Sequence, residues 1–370
     1  MYSRWFTLSL VGALLCATTA FADGPKQPTL ERYTGPVQMV KPTRIMKVRW
    51  ENGRAIPVSP WIELGDFAPA GPCNDPNETL VFSTGPLDEA GNWDANCQVC
   101  VPGGGFWFGA NYRNPYYAGG IVSLSDASFN GANAVSLSHS WAWQPANPTT
   151  CYVLIVTTEE FDEECQDVHE NSAIDGVLLE YQNLAAGVYL SSVCLSSAGI
   201  DLALPSTSAD DGDPGTELLG GWFVAYGEAY DTNTGQLTLA SFPSQPFLWD
   251  DSLNTAACRR GDSAGNQFDD DNADGDHDPT SECFNYAAFD LSRFGCPNPS
   301  ELNGIVAFWA APSCTPNGGD VDGSGCIDDA DLLAVLFAFG GSGGPEDVNC
   351  DGSVDDADLL EVLFNFGTGC

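Results

Sequence analysis

The sequence predicts a mainly β protein, in which a β-sandwich or jelly-roll-like domain is followed by a small all-α module of two loop–helix repeats. Two observations support this fold class. Short runs rich in Val, Ile, Thr and aromatic residues, separated by Gly, Pro, Asn and Asp clusters, fill most of the chain. An acidic stretch followed by an apolar helical run then occurs twice at the end of the chain.

The chain begins with a segment typical of a secretory signal peptide, residues 1–22. Arg4 supplies a positive charge, an apolar run follows, and Ala20-Phe21-Ala22 has the small residues of a cleavage site. The run is too short for a transmembrane helix, and no later stretch is apolar over a membrane-spanning length. We therefore expect a secreted, soluble, extracellular protein without a membrane span, either free or associated with the cell surface.

The charge balance excludes nucleic acid as a class of partner. The chain has 12 Lys and Arg against 51 Asp and Glu, a formal net charge of −39, whereas phosphate binding requires clustered basic residues. An excess of acid favours cation binding instead. Most of the basic residues lie in an N-terminal segment, residues 23–54. This segment is either a strand or arm on the acidic body or a docking segment for an acidic polymer.

Residues 55–312 form the predicted β-sandwich domain, because short strand-like runs recur there without a helical period. The predicted strands are ETLVFSTG (78–85), CYVLIVTT (151–158), GVLLEY (176–181), GGWFVAYGEAY (220–230), GQLTLASF (235–242) and NGIVAFWAA (303–311). Residues 231–234 predict a hairpin turn between the fourth and fifth of these runs. Residues 313–319 form a short linker to the C-terminal module.

The two C-terminal repeats place oxygen donors at alternate positions of a short loop. Calcium takes about six to eight oxygen ligands, and alternate residues of a tight loop can all point towards one ion. Gly325 and Gly352 stand at position 6, where such a loop turns sharply. The predicted ligands at positions 1, 3, 5, 7, 9 and 12 are Asp320, Asp322, Ser324, the Cys326 carbonyl, Asp328 and Asp331 in the first loop, and Asp347, Asn349, Asp351, the Ser353 carbonyl, Asp355 and Asp358 in the second.

Only the helix after each loop can form, because Gly and Pro precede both loops. A loop with an exiting helix, occurring twice and with Asp rather than Glu at position 12, resembles the type I dockerin domain. The resemblance covers about residues 317–370, and the tail looks like C-terminal modules on secreted proteins of planctomycete-type bacteria. It implies that residues 320–370 bind two Ca²⁺ ions and dock onto a cohesin-like or other cell-surface or scaffold protein. The tail departs from the family pattern in lacking Lys and Arg and in having Asp-Ala at positions 10 and 11.

The two C-terminal helices are apolar on nearly every side, so we expect them to pack antiparallel and to bury one another. This arrangement brings the end of the second helix beside the first loop. It predicts a Cys314–Cys370 disulfide that closes the module, with Cys326 as the competing partner of Cys370, and it excludes a Cys326–Cys350 disulfide. An exported chain favours disulfides for these cysteines.

A further acidic stretch, DDDNADGDHD, lies in a predicted loop at residues 259–283, and residues 206–217 form another predicted loop. The acidic stretch could bind a third calcium ion, although Ser281 stands where position 12 would require a carboxylate. Its candidate ligands are Asp270, Asn272, Asp274, Asp276 and Asp278.

No catalytic motif identifies an enzyme. A glycoside hydrolase needs two facing carboxylates, and the acidic run after the second predicted strand offers several candidates. Such a dense run of acids is also typical of a solvated loop. The candidates are Glu159, Glu160, Asp162, Glu163 and Glu164.

Two stretches concentrate aromatic residues, FWFGANYRNPYY (106–117) and HSWAWQP (139–145). Their rings could form a platform on which sugars stack. The alternative is a buried core, because the rings alternate with small residues as in buried strands. The candidate platform residues are Trp107, Tyr112, Tyr116, Trp141 and Trp143.

These features predict a secreted accessory or carbohydrate-binding protein of extracellular polysaccharide degradation, docked through its C-terminal module. Two other functions remain open. One is a hydrolase of O-glycosyl compounds with unidentified carboxylates. The other is a structural protein of the cell surface or matrix that uses calcium as glue.

Overall fold

A computed structural model of the chain describes residues 29–64, 73, 78–85, 87–88, 90–91, 105–121, 129, 131–162, 167–168, 172–205, 219–250, 266–267, 292–296, 302–310, 318–340, 345–349 and 354–370. Within these residues the protein is mainly β, with several sheets and two helices near the C-terminus. The predicted mainly β class with a helical tail is therefore confirmed.

The largest sheet of the described part has ten strands. Its order is β19 (Asn266–Gln267), β8 (Tyr116–Ile121), β15 (Leu219–Asp231), β10 (Thr149–Asp162), β12 (Ala173–Leu184), β3 (Arg44–Trp50) and β4 (Ala55–Pro57). Three short strands pair beside this path: β11 (Asp167–Val168) with β10, β16 (Gln236–Leu239) with β15, and β5 (Ile62–Glu63) with β3.

Two smaller sheets complete the described β-structure. The seven-stranded sheet has the order β2 (Val37–Met39), β13 (Gly187–Cys194), β9 (Asn133–Trp143), β21 (Val306–Ala310) and β6 (Thr79–Ser83), with β14 (Leu202–Ala203) and β17 (Ser244–Pro246) paired to β9. The four-stranded sheet has the order β1 (Glu31–Tyr33), β7 (Gly105–Trp107), β18 (Leu248–Asp250) and β20 (Leu302–Gly304). Short 3-10 helices occur at Ser196–Ala198 and Ser292–Phe294.

Five of the six predicted strands and the hairpin correspond to these elements, whereas the predicted strand 303–311 is divided into β20 and β21, which belong to different sheets. Strands β15 and β16 pair antiparallel, with Asp231 opposite Gln236. The Asp231 carboxylate accepts hydrogen bonds from the Asn233 N–H at 2.9 Å and the Thr234 hydroxyl at 2.9 Å, and it thereby fixes the turn. Gly235 has a φ of +71°, which the end of this turn requires.

The main apolar core contains side chains from both larger sheets. Val153 and Ile155 of β10 lie in the same buried cluster as Leu137 of β9 and Phe308 of β21. Leu154 lies between them in sequence and belongs to a second buried cluster, on the opposite face of β10. Because both faces of β10 are buried, its apolar residues run continuously instead of alternating with polar ones.

Part of the basic N-terminal segment is an interior strand of the largest sheet. Strand β3 pairs with β12 on one side and with β4 and β5 on the other. The Lys47 ammonium lies 2.5 Å from an Asp175 carboxylate oxygen and 2.8 Å from one of Asp201. Since Asp201 directly precedes β14, this cation links the two larger sheets. The strand interpretation of the segment is therefore correct for residues 44–50.

The body contains both a disulfide-bonded pair and a free cysteine. Cys73 and Cys194 are bonded, with their Cα atoms 4.8 Å apart. Cys151 on β10 is the free cysteine of the described residues, and burial raises the pKa of its thiol well above the ordinary value. A buried thiol of high pKa is inert towards oxidation and metal binding.

The C-terminal tail has its own small core. Helices α1 (Asp329–Ala338) and α2 (Asp356–Asn365) enclose a cluster formed only by residues of the tail. Its members are Ile327, Val335, Val348, Val354 and Val362. Within the described residues, the tail therefore packs around a buried cluster of its own.

His139 is a buried polar residue within the main body. Its ring stacks on Trp141 with centroids 4.7 Å apart, and Nε2 lies 3.5 Å from the Tyr181 hydroxyl. Its Nδ1 has no hydrogen-bond partner. Burial disfavours the charged ring and lowers the pKa of His139 to about 3.

We expect His139 to make the body less stable as the pH falls. The unfolded chain takes up a proton near the ordinary pKa of 6.5, whereas the folded chain does so only at about 3. The unfolding free energy should therefore fall between these values, by up to about 1.4 kcal/mol per pH unit. Urea unfolding at pH 6.5, 5.5 and 4.5 measures this slope. His139→Gln should reduce it, and the control Ser140→Ala should leave it unchanged; equal slopes in all three proteins would contradict the assignment.

Candidate metal centre

Each C-terminal helix begins with the same pair of aspartates. Asp328 is the N-cap of α1, and its carboxylate accepts the Ala330 N–H at 2.8 Å. Asp331 accepts the Asp328 N–H at 2.8 Å in return, which completes a capping box. Asp355 and Asp358 form the same box at the start of α2. Four predicted cation ligands are therefore also helix caps, placed where the helix dipole favours negative charge.

Asp331 also holds the start of its own loop. Its Oδ1 accepts the N–H groups of Val321 at 2.7 Å and Asp322 at 3.1 Å. In the second repeat, Asp358 Oδ1 accepts the Asn349 N–H at 3.0 Å. The position-12 carboxylate thus joins the two ends of each loop, a role that the spacing of cation ligands alone does not reveal.

Asp331 is fully buried and retains its charge. Burial alone would raise the pKa of this carboxyl. The backbone N–H groups of Asp328, Asp322 and Val321 outweigh that effect and hold the pKa below its ordinary value. The loop therefore encloses a carboxylate rather than a neutral acid.

Three carboxylates of the first loop converge. One oxygen each of Asp320, Asp322 and Asp331 lies within 4.8 Å of the others. Asp320 Oδ2 accepts the Gly325 N–H at 2.9 Å, whereas Oδ1 is buried without a hydrogen-bond partner. A buried unpaired carboxylate oxygen beside two other carboxylates is costly in the absence of a cation. The triad could hold a metal ion, and its donor set, oxygen only, fits a hard cation.

The other predicted ligands of the first loop are not part of the converging group, which consists of Asp320, Asp322 and Asp331. The Ser324 hydroxyl donates to the Cys326 carbonyl at 3.1 Å, so positions 5 and 7 lie together. Asp328 is exposed at the helix start. In the second loop, Asp347 is buried and Asn349 is half-buried, whereas Asp351 and Ser353 lie outside the described residues.

The candidate third calcium site also lies outside the described residues. This applies to Asp270, Asn272, Asp274, Asp276 and Asp278.

Three members of the candidate sugar platform are core residues, so that prediction is wrong for them. Tyr116, Trp141 and Trp143 are at most 1% exposed. Trp107 and Tyr112 are half-buried; Trp107 packs edge-on to Tyr33 at 5.3 Å, and Tyr112 packs against Phe108 at 5.0 Å. The rings of these segments fill the spaces against the sheets instead of facing a ligand.

The acidic run considered for catalysis extends from β10. Glu159 is half-buried, Glu160 and Asp162 belong to the strand, and Glu163 and Glu164 lie outside the described residues.

Glu180 is a buried carboxylate of the body that no sequence motif indicates. Its Oε2 accepts a hydrogen bond from the Arg44 guanidinium, and the nitrogen and oxygen atoms are 2.6 Å apart. Burial alone would raise the pKa of Glu180, but hydrogen bonds from Arg44, Gln182 and Tyr152 hold it below the ordinary value. Its position opposite Arg44 on the neighbouring strand decides this pairing, and the sequence contains no local signal for it.

Each C-terminal helix buries only one side, which corrects the expectation that the two helices bury one another. Val335 and Val362 are fully buried. In each repeat, four large apolar residues in the helix or directly after it remain exposed. The exposed fractions of Phe337 and Phe364 are 88% and 83%. The eight are Leu333, Leu336, Phe337, Phe339, Leu360, Leu363, Phe364 and Phe366. We call them the tail's apolar faces.

The helices are nevertheless antiparallel, as predicted. The Gly340 N–H, after α1, donates to the Val354 carbonyl of the second loop at 2.8 Å. The Gly367 N–H, after α2, donates to the Ile327 carbonyl of the first loop at 2.8 Å. Each helix therefore ends beside the loop of the other repeat.

The predicted Cys314–Cys370 disulfide is wrong, and the competing Cys326–Cys370 pair forms instead. Their Cα atoms are 4.6 Å apart. The reason is a backbone pairing: the Ile327 N–H donates to the Thr368 carbonyl at 3.0 Å, which places the chain terminus directly beside the first loop.

Comparison with protein-family models, with curated proteins and with solved structures finds no match to this chain. Within the described residues, no helix combines the length and apolar character needed to cross a membrane.

Loss of the Asp331 carboxylate should open the first loop. In chelator, Asp331→Ala removes an acceptor of three backbone N–H bonds and should destabilise the loop by about 2 kcal/mol or more. Hydrogen exchange of a peptide spanning residues 318–332 in the full chain should become faster. Asp329→Ala, which removes an exposed acid of the same turn, is the matched control. Unchanged protection in Asp331→Ala would rule out the loop-organising role.

Proposed function

We propose that the chain is a secreted accessory protein in which a β-sandwich body carries a calcium-dependent docking module of the dockerin type. The observation that carries this proposal is the unpartnered Asp320 Oδ1 within the triad of Asp320, Asp322 and Asp331. The matched capping boxes of the two repeats support a second site of the same kind at residues 347–358.

Calcium fits these donors better than other common cations. The triad offers carboxylate oxygens, and the same loop contains the Ser324 hydroxyl and the Cys326 carbonyl, which are hydrogen-bonded to each other. Zinc and copper favour nitrogen and sulfur ligands, and the sulfur of Cys326 is bonded to Cys370. Magnesium requires a small octahedral site and retains water, whereas a 12-residue loop of alternating oxygen donors suits the larger calcium ion.

The tail's apolar faces favour a docking role over a purely structural calcium protein. Eight of the eleven large apolar residues that are exposed in the described chain belong to these faces. Contiguous exposed apolar surface is typical of protein interaction sites. A module with a purely structural calcium-binding role would not need an exposed apolar surface.

The charge of the tail indicates the chemistry of the partner. Residues 313–370 contain twelve Asp and Glu residues and no Lys or Arg. A second copy of this chain, with its net charge of −39, would be repelled. We propose a protein partner whose apolar surface is rimmed by Lys or Arg, and a cohesin-like scaffold protein is the candidate that the family resemblance implies.

The setting in polysaccharide degradation is proposed from the resemblance alone. Burial of Tyr116, Trp141 and Trp143 removes three rings of the candidate sugar platform. A hydrolase would need a pair of facing carboxylates, and the buried Glu180 is already paired with Arg44. The accessory role is therefore preferred to the enzymatic one.

Calcium titration of the full chain by calorimetry tests the cation sites. We expect two sites in the tail, with one lost in Asp320→Ala/Asp322→Ala and the other in Asp347→Ala/Asn349→Ala. The control Asp329→Ala/Asp356→Ala removes exposed acids and should retain both. If chelator-treated protein takes up no calcium, or if the loop variants bind as the wild type does, the proposal fails.

Binding of a panel of cohesin domains to the immobilised full chain tests the docking role. Phe337→Ser/Phe364→Ser should reduce binding at least tenfold, because two largely exposed rings would no longer be buried in the complex, a loss of about 1.4 kcal/mol or more. Val58→Ser changes an apolar residue of the body that is 60% exposed and should have no effect. Equal binding by both variants would show that the tail's apolar faces are not the docking surface, and a dimer that the Phe variant abolishes would identify a second copy as the occupant.

A further inference from the structure

The first loop is clamped by the end of the chain. Residues 367–370 lie along Ile327, with the Gly367 N–H donating to its carbonyl at 2.8 Å and the Thr368 carbonyl accepting its N–H at 3.0 Å. The next residue towards the N-terminus, Cys326, is bonded to Cys370. Two backbone hydrogen bonds and a covalent bond therefore fix positions 7 and 8 of this loop. We call residues 367–370 the terminal clasp.

The clasp also contacts the residue at which the first loop turns. Gly369 has a φ of +82°, and a Cβ atom on it would collide with the Gly325 carbonyl oxygen. Gly325 stands at position 6 and donates its N–H to Asp320 Oδ2 at 2.9 Å. Only glycine permits the clasp to lie this close to the turn.

The second loop lacks the covalent part of this arrangement. The Gly340 N–H donates to the Val354 carbonyl at 2.8 Å, which is the counterpart of the bond from Gly367 to Ile327. Position 7 of the second loop is Ser353, however, and a serine cannot form a disulfide. The two repeats agree in their caps and in the sequence spacing of their candidate ligands, but the disulfide at position 7 of the first loop has no counterpart at position 7 of the second.

We infer that the terminal clasp makes the first loop a preorganised, higher-affinity calcium site, which fills before the second loop. Cys370 and Gly369 are positioning residues in this inference, which rests on the proposed calcium sites. The Cys326 carbonyl is the predicted position-7 ligand and is held in place before the ion arrives. A loop that is already ordered loses less conformational entropy when it binds calcium. The cross-link therefore raises the calcium affinity of the first loop.

The clasp can be tested separately in each loop of the full chain. Asp347→Ala/Asn349→Ala leaves the first loop as the calcium site, and Asp320→Ala/Asp322→Ala leaves the second. In each background, Cys326→Ser/Cys370→Ser removes the disulfide and Gly369→Ala displaces the clasp from the turn. Thr368→Ala is the control, since the Thr368 backbone makes the hydrogen bonds and its side chain is exposed.

We expect both clasp variants to lower the calcium association constant of the first loop about tenfold and that of the second loop less than twofold. Thr368→Ala should change neither constant. Non-reducing peptide mapping should recover a peptide that joins Cys326 to Cys370.

Three results would overturn the inference: equal losses at both loops, no loss at the first loop, or a different partner for Cys370. Equal losses would mean that the clasp only stabilises the module as a whole. Absence of calcium binding in the unsubstituted chain would instead refute the proposed sites themselves, and the inference with them, so the two failures can be told apart.

Discussion

The geometry of the C-terminal module depends on the buried carboxylate at position 12 of each repeat. Asp331 accepts one N–H from the start of its helix and two from the start of its loop. This single group therefore sets the helix start and the loop entrance at once. One carboxylate oxygen each of Asp320, Asp322 and Asp331 lies within 4.8 Å of the others, and Asp320 Oδ1 is buried without a hydrogen-bond partner. The convergence of the three carboxylates is therefore a consequence of how the loop is bonded to the helix.

The same packing leaves the module with two kinds of surface. One side of each helix is used for the small core around Val335 and Val362, because a module this size has little interior. The remaining apolar residues stay exposed among acids that have no basic counterpart in the tail.

The body uses its aromatic and basic residues for its own stability. Trp141 and Trp143 fill the main core, while Arg44 and Lys47 pair with carboxylates on neighbouring strands or on the other large sheet. Residues that might have bound a sugar or an acidic polymer are thus engaged within the fold. Of the large apolar residues exposed in the described part of the chain, most belong instead to the tail.

The sequence by itself determined the features that depend on neighbouring residues. The hairpin at residues 231–234, the two exiting helices and most strand runs follow from local composition and period and are present in the described structure, although the predicted strand 303–311 is divided into β20 and β21. The apolar character of the two helices also predicted that they are antiparallel. In the structure, each helix ends beside the loop of the other repeat.

Only the tertiary structure decided which of several similar residues forms a disulfide or becomes buried, because that choice depends on distances between segments far apart in sequence. Cys326 rather than Cys314 bonds Cys370, since the chain terminus pairs with Ile327. Trp141 is buried and Phe337 is exposed, although both belong to strongly apolar runs. Composition specifies that a side chain is apolar, but the surface available in the assembled core decides whether that side chain is buried.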